Sequence, residues 1–115
     1  DPEVTVEMSD ELVDLEHGPQ RVQLSVVTAD GKPVEDAQLL VTGGSLPVEN
    51  GPVELQTGPD SNEVTLSVGT SGRPDVLAAF RDGQARGTLD IEVIPPSGSG
   101  LRDERANPEL VVVEG

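Results

Sequence analysis

Cysteine, tryptophan and tyrosine are absent from the 115 residues, and the chain carries one phenylalanine (Phe80) and one methionine (Met8). Without cysteine there is no disulfide staple, no thiolate metal site and no thiol nucleophile. Without tryptophan or tyrosine there is no aromatic platform on which a sugar ring could stack. Bases are also scarce. Six arginines and Lys32 face 22 acidic residues, for a formal net charge of −15. Such a surface repels phosphate backbones and anionic lipid, which argues against a nucleic-acid partner. Long apolar runs are missing too, and nothing approaches the ~20 residues that cross a bilayer as a helix. No direct membrane insertion is expected of this segment. The start, Asp1-Pro2-Glu3, does not read as a signal peptide, so any anchor would lie elsewhere.

What the chain does have is aliphatic. Seventeen valines and twelve leucines supply nearly all the core material, and 13 glycines with 10 prolines punctuate it often. Valine is stiff at χ1 and packs well on a pleated surface, so strands are favoured over helices. The length fits one domain with a single core.

The periodicity is mostly two. Val4, Val6 and Met8 alternate with polar neighbours as a half-buried first strand. Leu12, Val13 and Leu15 fit a short irregular strand or one helical turn, before Gly18-Pro19 breaks the chain. Val22, Leu24 and Val26 mark the next strand, which ends in the turn Asp30-Gly31-Lys32-Pro33. Ala37 to Thr42 and Val53 to Gln56 flank a loop carrying Pro47 and Asn50-Gly51. Glu63 to Gly69 alternates cleanly. Val76 to Arg81 is mostly apolar and reads as a central strand covered on both sides. Asp82-Gly83 is a hairpin turn signal, and Gly87 to Ile94 closes the series. About seven short strands with turns every 8–12 residues or so predict a two-sheet sandwich, with neighbouring strands antiparallel because the connections are too short for crossover helices. The domain is expected over residues 1–96. Residues 97–115 read as a linker from Pro95-Pro96-Ser97-Gly98 onward, followed by a tail. Its last β-prone run, Leu110 to Val113, is either an edge strand folding back or the first strand of a following domain.

The stretch VQLSVVTADGKPVEDAQLLVTGG, residues 22 to 44, resembles the front half of invasin/intimin-type bacterial immunoglobulin-like domains. In that family an alternating strand runs into a D-x-G-x-P-V turn and a second strand ending in glycine. Asp30, Gly31, Pro33 and Val34 supply the turn here, one residue tighter between Asp and Gly. EVTLSVG at 63–69 and VLAAFRDGQARGTLDIEVIPP at 76–96 are similar to the later strands and the proline exit. The resemblance spans roughly residues 20 to 96 and implies an immunoglobulin-like antiparallel β-sandwich that spaces or adheres at a cell surface. The tryptophan, disulfide and tyrosine corner of antibody-type domains are lacking. Scarce lysine and aromatics beside many carboxylates are similar to haloarchaeal proteins, whose acidic surfaces are screened by salt.

Candidate chemistry is thin. His17, the sole histidine, lies in a Gly-Pro-flanked polar stretch with no nucleophile or orienting group placed beside it, so it reads as an exposed loop residue. No enzyme activity and no cofactor are expected. Asp30, Asp60, Asp75 and Asp82 are candidate calcium ligands if end loops gather them, although no D-x-D-x-D-G loop is present. The candidate contact surfaces are Leu46 and Val48 in the loop before Val53, and Leu110, Val111, Val112 and Val113. These last four residues offer a route to homo-oligomers by strand addition. The leading expectation is a non-catalytic structural or adhesive module, extracellular or on a cell surface, whose partners are proteins or neighbouring domains. The alternatives are a virion surface or decoration protein that self-assembles, and an accessory domain of a secreted enzyme.

Overall fold

The computed structural model describes residues 3–48 and 51–115, and among these it holds β-strands and no helix. Asp1, Pro2, Glu49 and Asn50 lie outside the described residues, and with them part of the Asn50-Gly51 turn read from the sequence. In chain order the strands are β1 (Val4–Met8), β2 (Leu12–Asp14), β3 (Gln20–Thr28), β4 (Gln38–Gly43), β5 (Val53–Gln56), β6 (Glu63–Gly69), β7 (Val76–Leu77), β8 (Gln84–Ile94), β9 (Glu104–Ala106) and β10 (Glu109–Val113). One sheet has the order β1-β3-β6-β7. The other runs β2-β10-β8-β4-β5, with β9 also on β8. The fold is all-β and sandwich-like, as the alternating valines and leucines require.

The inward side chains form one aliphatic core. Leu24, Val26, Leu66 and Val68 come from the first sheet. Leu39, Val41, Leu89, Ile91, Leu110 and Val112 come from the second, all with 0–1% of their surface exposed. Each such side chain contributes about 1.5–3 kcal/mol through its removal from water. The lone aromatic, Phe80, is only half-buried and packs on the rim. Thr57 is the buried polar residue among those described. Its hydroxyl accepts from Ala37 N–H at 2.8 Å and donates to the Val34 carbonyl at 3.3 Å, pinning the end of β5 to the β3–β4 connection.

Three expectations are corrected. Strand pairing is not uniformly antiparallel: β2 runs parallel to β10, and β7 parallel to β6. The short-connection rule does not apply to β10, which reaches β2 after the chain has traversed the whole domain, and it fails for the sequence neighbours β6 and β7. β7 follows β6 through a loop that doubles back. Ser67 and Asp75 hold its return, each backbone N–H donating to the other's side chain at 2.8 Å. The apolar run Val76 to Arg81 is not a central covered strand either. Only Val76–Leu77 pair, at the edge of a sheet, and the chain then leaves it through Ala78, which is buried, and Ala79, which is exposed. The Asp82-Gly83 turn does form, with positive φ at both residues (55° and 85°), but it closes only an isolated bridge between Arg81 and Gln84.

The last correction concerns the tail: Leu110 to Val113 folds back onto the domain, as one of the two readings has it, but inside the sheet rather than at its edge, and Glu104–Ala106 also pairs. β9 and β10 lie along one edge of β8 in a single register, Glu104 opposite Val93 and Val113 opposite Gln84. Pro108 interrupts the strand but its carbonyl still accepts from Leu89 N–H at 3.0 Å. The proline lacks the N–H that would return this bond, and Asn107 Nδ2 donates to the Leu89 carbonyl in its place at 3.3 Å.

Register also fixes where the chain enters and leaves. Val4 lies level with Thr28 at one end. The chain then runs through β1 and β2 to Asp14, which lies level with Val113 at the other. The molecule measures 45 × 23 × 21 Å.

Candidate functional site

β1 belongs to one sheet and β2 to the other, so the chain must cross between them at Ser9–Glu11. The crossing leaves a side groove of about 770 Å³. Val6, Met8, Leu12 and Val111 form its apolar lining, and Glu7, Glu11 and Glu109 bring carboxylates to it. Arg86, opposite Val111 on β8, is the cation of the site. Among the described residues, none of these four charged side chains joins an ion pair within 4.0 Å. Leu12 is the exposed large hydrophobic residue among the described residues, at 60%.

One wall of the groove is a free backbone edge. Ser9 N–H donates to the Gln23 carbonyl and Ala29 N–H to the Glu3 carbonyl, so the odd-numbered residues of β1 face β3. By the alternation of an antiparallel ladder, the N–H and C=O groups of Val4, Val6 and Met8 then point away from β3, along the unpaired edge. Their side chains face inward; Val4 is buried, while Val6 and Met8 are half-buried at the rim.

The sequence-predicted residues fall elsewhere or serve another purpose. Leu46 is 2% exposed and belongs to the core. It folds over Gly87, where an added Cβ would sit 2.9 Å from the Leu46 side chain, and Ser45 Oγ accepts from Thr88 N–H at 2.8 Å. Val48 is half-buried against the same core. The loop packs on its own domain rather than offering these two side chains to a partner. Leu110 and Val112 point into the core. Val111 and Val113 are partly exposed, but the backbone of β10 is paired on both edges, with β8 and with β2. Strand addition through residues 110–113 therefore has no edge to use.

The four calcium candidates do not gather. Asp30 and Asp60 lie at the end where β3 meets β4, with Asp60 N–H donating to the Glu35 carboxylate at 3.2 Å. Asp75 is bonded to Ser67 near the finish of β6, and Asp82 sits in the turn before β8, towards the opposite end. No cluster of three or more His, Asp or Glu side chains suited to a metal occurs among the described residues. The Thr28 hydroxyl donates to Asp30 and holds its carboxyl below the ordinary value. Backbone N–H groups of Gly115 and then Glu16 do the same for Asp14. His17 is exposed, 3.9 Å from the Glu16 carboxylate. No helix of the described residues is long and apolar enough to cross a membrane.

The groove was missed in the sequence because it arises from a sheet change, which leaves no periodicity of its own. The available signal was the polar break Ser9-Asp10-Glu11 between two β-prone runs, followed by Val13 and Leu15 out of phase with Val4, Val6 and Met8.

Compared with known proteins, residues 2–67 match a family described as a domain of unknown function (DUF7382). No curated protein and no solved structure matches the chain.

Proposed function

We propose that this chain, which belongs to the DUF7382 family of domains of unknown function, is a non-catalytic, immunoglobulin-like structural module of a cell-surface or extracellular protein. The carrying observation is the path of the chain. It enters beside Thr28 at one end of a 45 Å molecule and leaves beside Asp14 at the other, so neighbours joined to it are held apart along its long axis. A first strand shared between two sheets and a last strand between β2 and β8 support the immunoglobulin-like reading, as does the return of the middle strands to alternate sheets. Tension along that axis loads the parallel β2–β10 pair in shear, so that its hydrogen bonds share the load rather than breaking one at a time.

The carboxylates suit a solvated, salt-screened surface, and with a net charge of −15 the compact state is strained by self-repulsion at low ionic strength. The reading is tested by light scattering and small-angle X-ray scattering in low and in molar salt. An elongated monomer at both, stabilised by salt, is the expected result. A defined closed oligomer would overturn the spacer reading in favour of a self-assembling shell or decoration protein.

A further inference from the structure

Five strands have an outer edge: β1 and β7 in one sheet, and β2, β5 and the three-residue β9 in the other. Edges are normally blunted by shortness, proline or lysine. β7 has two residues and follows Pro74; β2 has three; β5 has four and follows Pro52. β1 is the longest, with five residues and neither proline nor lysine, and its Val6, Glu7 and Met8 line the side groove. Its unpaired backbone groups thus stand beside exposed apolar surface and a surplus of carboxylates, three against the single Arg86.

From this coincidence we infer that the groove beside β1 binds an extended polypeptide segment of alternating apolar and basic residues, added as a strand to β1. The segment's backbone pairs with the N–H and C=O groups of Val6 and Met8, the two residues of that edge that line the groove. Its apolar side chains rest against Val6, Met8 and Leu12. Its lysines or arginines meet Glu7, Glu11 and Glu109. The net charge of −15 steers a basic segment toward the molecule, and the groove then selects one whose charges and apolar groups alternate. This site is independent of the spacer reading, because a monomeric rod and a self-assembling shell protein would carry it equally.

The experiment uses the full chain and three blocked octapeptides: alternating Lys-Val, alternating Glu-Val, and a Lys block followed by a Val block. Binding is followed by amide NMR shifts and hydrogen exchange. The alternating Lys-Val peptide is expected to bind and to slow exchange at Val6 and Met8 by about tenfold or more, with shifts at Leu12 and Val111. The other two peptides are expected to bind at least about tenfold more weakly. Val6→Pro removes a free-edge donor without touching the β3 ladder and should weaken binding about tenfold. The double variant Glu11→Lys/Glu109→Lys lies at the surface, keeps the fold, and should weaken it similarly.

Equal binding of the block peptide would overturn the proposal, as would shifts scattered over the acidic surface with no protection of Val6 and Met8. So would protection mapped to β5, or protection of β1 that grows with protein concentration in the absence of peptide. The last of these would make the edge a contact between copies of this chain.

Discussion

β1 and β10 look alike as sequence: five residues each, valine-rich, near the two ends of the chain. In the fold they are opposites. β10 is wedged between β8 and β2, with Leu110 and Val112 at 1% and 0% exposure. β1 has β3 on one side and a groove on the other. The strand that composition marks as sticky is saturated, and the one that reads as an ordinary first strand keeps an open edge. Hydrophobicity tells which strands are buried, whereas the order of strands in the sheet decides which edges are free.

The comparison can be broken most severely from the C-terminal side. Deleting residues 108–115 removes both β10 core residues and the partner of β2, and is expected to abolish cooperative unfolding as followed by circular dichroism. A chain that still melts cooperatively would mean that β10 is dispensable. Less drastically, Leu110→Ala should cost about 2–5 kcal/mol in urea titrations, against under about 0.5 kcal/mol for Leu12→Ala in the groove. Similar costs for the two would erase the distinction between a saturated and an open strand.

Thr57→Val leaves the Ala37 N–H without its hydroxyl partner and should cost about 1–3 kcal/mol. That position is remote from both strands, so peptide binding beside β1 should be unchanged.

The smallest effect is in acid. Asp14 receives the Gly115 N–H and so ties the last residues of the chain to β2, and its carboxyl is held below the ordinary 3.8. A lowered folded-state value gives stability that is present above pH 3.8 and lost as pH falls through that lowered value. Asp30 behaves in the same sense through Thr28. Asp14→Asn and Asp30→Asn should each be slightly less stable than the parent near neutrality and converge with it in acid. A gap that persists at low pH would assign the loss to something other than ionisation.

Much of the fold was legible. The alternation in 22–26, 63–69 and 87–93 places β3, β6 and β8 and their inward faces correctly, since a period of two can bury only one face. Pro95-Pro96 and the Ser-Gly run after it misled, because a flexible composition says nothing about where the chain goes next. Leu110–Val113 returns as an internal strand. Val76–Arg81 misled for a different reason: alanines make a run apolar without giving it β preference or bulk to hold a sheet position. The side groove was not legible, since it depends on a strand changing sheets and on a parallel pairing between residues about a hundred positions apart in the chain.

The most direct test is native-state hydrogen exchange of the free protein, read residue by residue. In β1 the amides of Thr5 and Glu7 should exchange slowly and those of Val6 and Met8 fast, whereas in β10 Leu110, Val111, Val112 and Val113 should all be slow. Uniform protection along β1, or alternation along β10, would contradict the assignment of the open and closed edges.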